Sequence, residues 1–203
     1  MIMQATGQVK SVTMWEEAYP SKSVIVLLSG KAGVGKTYIA DKLISLFKKS
    51  GYIAHIRSFA DGIKDCAIDY FNWDSEKNKR GRKLLQNIGN IGREYDKDVW
   101  VKRLVRAFED NIYLYDVYVV DDWRFENERD YLEKLNDFYI IAVRVESNIR
   151  GGLQGDLAED VSENSLPEDL TYYDFIVENN EEDLTESLKL IINYIDKMEV
   201  KDG

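Results

Sequence analysis

The chain has 203 residues, 44% of them hydrophobic, which suits one domain with a sizeable core and room for a small insertion. Its formal net charge of -10 argues against nucleic acid or an anionic membrane as partner, because a negative field repels polyphosphate. The single cysteine, Cys66, allows no internal disulfide, reads as a small buried apolar residue, and fits a reducing, cytoplasmic compartment.

Residues 1–22 show no clean periodicity and end close to Pro20-Ser21. They read as a tail or accessory segment ahead of a domain spanning 23–203, without the charged-then-apolar pattern of a secretory signal. Residues 24–28 (Val-Ile-Val-Leu-Leu) are continuously apolar, as in a strand buried on both faces of a parallel sheet. Ser29-Gly30-Lys31-Ala32-Gly33-Val34-Gly35-Lys36-Thr37 follows directly and opens into a helical pattern. Strand, glycine-rich turn, Gly-Lys-Thr and helix are the ordered parts of a phosphate-binding loop. Gly30, Gly33 and Gly35 let the backbone turn its N–H groups towards phosphate oxygens, helped by the helix N-terminus. Lys36 is placed to reach the β- and γ-phosphates, and the Thr37 hydroxyl to hold Mg²⁺. The loop predicts a bound nucleoside triphosphate with Mg²⁺ as cofactor, and ATP is the co-substrate expected.

A helix is expected over 37–49, stopped near Gly51, then a strand over 52–58 holding the lone histidine, His55, in a structural role. Ser58-Phe59-Ala60-Asp61-Gly62-Ile63-Lys64 follows that strand, where a nucleotide-monophosphate-type enzyme holds its acceptor. Phe59 can contact an acceptor base and Lys64 its phosphate, or the segment is an ordinary helix start. Helices are expected over 60–71, 83–93 and 99–115, with 72–82 a polar loop or helix start. Arg82, Gln86, Gly89 and Arg93 fall on one helical face. Gly89 and Gly92 cost ~1 kcal/mol each inside a helix, which points to close approach by backbone or ligand.

The run 117–120 (Val-Tyr-Val-Val) reads as a second fully apolar strand ending in Asp121-Asp122-Trp123-Arg124. A carboxylate there can orient Mg²⁺ or its waters, and Arg124 can pair with a phosphate. Alternatively Asp122 caps the helix expected over 125–136. A strand over 139–145 leads into a Gly-, Asp- and Glu-rich stretch, a flap candidate at about 146–165, with Arg144 and Arg150 on either side of the junction between strand and flap. A short strand over 174–177 and an amphipathic helix over 183–198 close the chain. The alternation implies an α/β, doubly wound parallel sheet with helices on both faces and a flexible flap. No apolar run approaches the ~20 residues needed to cross a bilayer.

Placed in order, these clusters resemble the deoxynucleoside monophosphate kinase family of phages and bacteria, within the adenylate-kinase-like P-loop kinases. The resemblance rests on Gly30 to Thr37, on Phe59-Ala60-Asp61-Gly62-Ile63-Lys64, and on Leu85-Gln86-Asn87-Ile88-Gly89 with Gly92-Arg93. It rests further on Asp122-Trp123-Arg124-Phe125-Glu126-Asn127-Glu128 and Ser162-Glu163. It implies triphosphate binding by residues 30–37, acceptor contacts from Phe59, Lys64, Arg93 and Arg124, and a role at the phosphates for Asp122 and Arg124. The reading it implies is phosphoryl transfer from ATP to a nucleoside monophosphate, with Thr37 and Asp122 holding Mg²⁺ and Arg150 serving from the flap. The partners are then small molecules, with a homodimer left open. Animal-type phosphomevalonate kinases are similar in the same places, so a non-nucleotide acceptor or a non-catalytic nucleotide-binding module stays an alternative.

Overall fold

A computed structural model of the protein describes residues 22–110, 114–149, 166–180 and 183–202. Nearly all of the expected tail, and the flap from 150 to 165 with Arg150, lie outside the described residues.

Five strands, β1 (Ser23–Ser29), β2 (Ala54–Arg57), β3 (Val117–Val120), β4 (Phe138–Glu146) and β5 (Phe175–Glu178), form one sheet in the order β2-β3-β1-β4-β5. All four pairings are parallel. The helices are α1 (Lys36–Lys49), α2 (Asp61–Phe71), α3 (Lys79–Tyr95), α4 (Val99–Glu109), α5 (Glu126–Leu135) and α6 (Thr185–Asp202). The structure is thus the doubly wound α/β sheet that the alternation of elements predicts.

All seven β1 residues are buried, because helices cover both faces of the central strand. Alternation sorts them between two cores. Val24, Val26 and Leu28 pack with Ile39, Leu43 and Phe47 of α1 and Leu188, Ile191 and Ile195 of α6. Ile25 and Leu27 pack with Leu104 and Phe108 of α4, Leu132 of α5, and Phe59 and Trp123. The strand order turns at β1, which has β3 on one side and β4 on the other. Ligands of such sheets gather beyond the carboxyl ends of the strands at this turning point, and the glycine-rich loop sits there.

Where boundaries differ from the sequence expectation, three have a visible cause. β2 is shorter than 52–58, since Tyr52 turns aside to meet Phe47 edge-on at 5.8 Å and to donate its hydroxyl proton to Asp196. α3 starts at Lys79 rather than 83, because the Asn78 side chain accepts from the Gly81 N–H at 2.9 Å and caps the first turn. α4 ends at Glu109, short of 115, and Tyr115 instead stacks on His55 at 4.8 Å. That contact gives His55 the structural place expected of it; burial, followed by the nearby Arg57 charge, lowers its pKa.

The α2–α3 hairpin has a small core of its own, Ile63, Ala67 and Ile88, with the half-buried Cys66 against it. The helix glycines serve packing here rather than a ligand. A Cβ on Gly92 would lie 2.5 Å from the Trp100 ring, and the Trp100 indole donates to the Gly89 carbonyl at 3.0 Å. α4 can approach α3 this closely because Gly92 lacks a side chain; a Cβ on Gly89 would instead meet the Arg93 guanidinium at 3.0 Å and Ile63 of α2 at 3.2 Å.

Candidate active site

The loop between β1 and α1 is shaped by Gly30, Gly33 and Gly35, at φ 143, 82 and 96. Two of them are also required by their neighbours. A Cβ on Gly30 would meet the Val145 carbonyl of β4 at 2.3 Å, and one on Gly35 would meet the Asn179 amide at 2.3 Å. The Lys36 ammonium donates to the carbonyls of Gly30 (2.6 Å) and Lys31 (3.1 Å), so it lies along the loop it would leave to meet a phosphate.

The aspartates that end β3 divide the work. Thr37 donates its hydroxyl proton to Asp121 Oδ2 at 2.9 Å. Asp122 instead gathers the segment after β2: its carboxylate accepts from the Ser58 hydroxyl (2.6 Å) and from the N–H groups of Phe59 (2.8 Å) and Ala60 (3.0 Å). Asp121 rather than the expected Asp122 is thus the aspartate that contacts Thr37, the Asp122 oxygens accepting from Ser58, Phe59 and Ala60. Burial, followed by the Asp122 charge, raises the Asp121 pKa against the opposing pull of Thr37 and Lys64. A hard oxygen pair of this kind fits Mg²⁺, which takes one or two protein oxygens and completes its shell with phosphates and water. Among the described residues no three His, Cys, Asp or Glu side chains converge as a metal site.

Lys64 pairs with Asp61 at 2.9 Å on the first turn of α2. Burial would lower its pKa, but the Asp61 hydrogen bond and the charges of Asp61, Asp122 and Asp121 outweigh burial and raise it. Lys64 thus stands in the field of the same aspartates as Thr37. Phe59 does not face this space. It is 4% exposed and belongs to the core beneath the sheet, as does Trp123 at 1%. The expected contact of Phe59 with an acceptor base is corrected accordingly; its backbone N–H, fixed by Asp122, is what it brings to the site.

Arg93 reaches the same region from the end of α3. Its guanidinium stacks over the Phe125 ring at 4.7 Å and donates to Asn90 at 2.9 Å. Arg124 sits half-buried one residue before that ring. The N–H groups of Arg124 and Phe125 both donate to Glu128 Oε2 at 3.1 Å, which closes the first turn of α5. Burial pushes the Glu128 carboxyl up to about 8, with the Asp122 charge adding and the two N–H donors and Arg93 opposing. Arg144 is held against the Tyr173 ring and near Glu146, at 3.5 Å. An open cleft of about 1260 Å³ runs along the α2–α3 turn, its lining including Trp73, Lys79, Arg80, Arg82, Lys83 and Gln86.

Asn179, just past β5, escaped the sequence reading. It is 1% exposed, and its side chain donates to the Val34 carbonyl of the loop at 2.8 Å. A lone Asn after a short strand carries no local signal of such a long-range contact.

No family model matches the chain, and no curated protein matches its sequence. Among solved structures, a candidate kinase from Chloroflexus aurantiacus aligns with a TM-score of 0.52 at 9% identity, over 87% of this chain and 98% of that one. The APS kinase of Mycobacterium tuberculosis, solved with AMPPNP and APS, aligns with a TM-score of 0.46 at 13% identity, over 87% of this chain and 99% of that one. The likeness is one of fold: a five-stranded parallel sheet flanked by helices. No helix among the described residues is long and apolar enough to cross a membrane.

Proposed function

We propose that the protein transfers the γ-phosphoryl group of ATP to a nucleoside monophosphate, giving two diphosphates. The observation that carries this reading is the pair of consecutive aspartates. Asp121 holds the hydroxyl of the phosphate loop, and Asp122 holds the segment leading into α2. One strand end thereby joins a triphosphate-binding half to a second half rich in cations, which is the layout that in-line transfer between two phosphates requires.

Lys36 would exchange the loop carbonyls for β- and γ-phosphate oxygens. The Thr37 hydroxyl and the Asp121 carboxylate would hold Mg²⁺, which when bound draws negative charge from those phosphates. Lys64, Arg93 and Arg124 would orient the acceptor phosphate. Its oxygen bonds to the γ-phosphorus as the bond to the β–γ bridging oxygen breaks, and ADP departs. Arg150 enters this proposal through the family resemblance alone.

A second reading, a non-nucleotide acceptor bearing further anionic groups, has its own support. Phe59 and Trp123 are packed away from any base, and the α2–α3 cleft is lined by four cations, Lys79, Arg80, Arg82 and Lys83. One assay separates the two: Mg²⁺-ATP with a panel of ribo- and deoxynucleoside monophosphates and phosphomevalonate, following ADP release. The nucleotide reading expects release with one or a few nucleotides. Release with phosphomevalonate alone moves the assignment to the second reading. ATP binding without turnover on any acceptor removes both.

A further inference from the structure

We infer that Asn179 is a positioning residue for the nucleotide: by holding the Val34 carbonyl outside the phosphate loop, it turns the Gly35 N–H inward to face the β-phosphate. The inference rests on the reading that this loop binds a triphosphate, and it concerns a residue 145 positions away in the chain.

The argument begins with the peptide bond. The C=O of Val34 and the N–H of Gly35 belong to one planar trans unit and point in opposite directions. Fixing the carbonyl therefore fixes the N–H. The carbonyl is fixed by the Asn179 amide at 2.8 Å, behind the loop and at the end of β5. Gly35 is held at φ 96, and the Asn179 amide fills the space where its Cβ would project. The unit can neither flip nor accept a side chain while Asn179 is in place.

Asn179 is itself well anchored. Its N–H donates to the Glu146 carbonyl at 2.7 Å, and its carbonyl accepts from the Ser147 hydroxyl at 3.0 Å. The neighbouring Asn180 side chain accepts from the Asn148 N–H at 2.7 Å. The ends of β4 and β5 thus form a strap behind the loop. The amide's other atom, Oδ1, is buried without a hydrogen-bond partner. A leucine of similar size would fill this space without that cost. The polar group is therefore explained by what its N–H₂ does to the loop, not by its own satisfaction.

The first test uses the wild-type protein. Labelled with ¹⁵N and titrated with Mg²⁺-ADP, it should show the Gly35 amide proton moving downfield, as an N–H does when it meets an anionic acceptor. A Gly35 amide that stays put while Gly33, Lys36 or Thr37 respond overturns the inference. If no loop amide responds, the triphosphate reading itself fails and takes this inference with it. The second test uses N179D and N179L, which keep the volume but lose the donor. Each should bind Mg²⁺-ADP about 10–100-fold more weakly, the worth of one hydrogen bond to a charged group. Each should also lose the Gly35 shift while keeping wild-type affinity for the acceptor mononucleotide. Wild-type ADP affinity in N179L, or equal losses for ADP and the mononucleotide, would show that Asn179 only fills space.

Discussion

On the proposed reading the site has a donor half and an acceptor half, and the two are built in different ways. The donor half is one unbroken stretch, Gly30 to Thr37, that works through its backbone and two side chains. The acceptor half is assembled from the segment after β2, the end of α3 and the turn after β3, drawn together by single side chains such as Asp122, 64 residues from Ser58. The first half takes its path from its own glycines, with outside support from Asp121 and Asn179; the second exists only through tertiary contacts. Damage to the donor half should therefore cost chemistry with little loss of stability. Damage to the acceptor half should cost both.

The largest expected effect lies on the donor side. Lys36→Ala should lower turnover by about 10²–10³-fold, the usual worth of a preorganised group facing developing charge. Its thermal midpoint should stay near that of the wild type, because the Lys36 hydrogen bonds to the Gly30 and Lys31 carbonyls are ones that a phosphate would replace. ADP release and a melting curve on one preparation check both.

The adjacent aspartates give the sharpest comparison. Asp121→Asn, which removes the charge of a group proposed to hold Mg²⁺, should weaken Mg²⁺ by at least the about 10–100-fold typical of losing a partner that orients a metal ligand, with melting little changed. Asp122→Asn should have a different signature. It weakens the acceptor of three hydrogen bonds, so the KM for the acceptor should rise and stability should fall by ~1–3 kcal/mol. A Mg²⁺ titration, an acceptor titration and a urea midpoint for each variant suffice. Matching profiles would erase the division of labour between the two residues. On the packing side, Gly92→Ala should cost ~1–3 kcal/mol by pushing the Trp100 ring off α3, leaving ATP affinity alone.

This contrast also explains what the sequence made legible. The sheet and the phosphate loop could be read because β1 is apolar throughout and the loop's glycines stand at the strand-to-helix turn that needs them. The second half was read by position but not by role. Asp121 and Asp122 look alike in the chain, and only the pleat of β3 decides which one meets Thr37. Phe59 stands beside Ser58 in a plausible ligand segment, yet the space below β1 and β3 claims its ring. Gly89 and Gly92 signalled close approach correctly, but the groups in the open space are Arg93 and Ile63 at Gly89 and Trp100 of α4 at Gly92. Asn179 could not be read at all, since its meaning lies in a peptide unit that only the folded sheet brings near.

The smallest expected effect at neutral pH concerns Glu128, which supports the turn carrying Arg124 and Phe125. Its folded-state pKa is about 8, above the ordinary 4.5, because burial outweighs the two N–H groups that favour its charge. The folded protein then keeps a proton that the unfolded chain releases between these values. With more protons bound when folded, stability must fall as pH rises through that window and level off above about 8. In Glu128→Gln the uncharged amide should remove this slope, so the difference in stability between wild type and variant should change between about pH 6 and pH 9, to the wild type's disadvantage at the alkaline end. Urea midpoints at the two pH values measure it. A difference that stays constant would mean that Glu128 is already ionised in the fold and that its N–H partners, rather than its burial, set its charge. The acceptor half would then carry one more negative charge at neutral pH, and Arg93 and Arg124 would be partly spent on neutralising it rather than on an incoming phosphate.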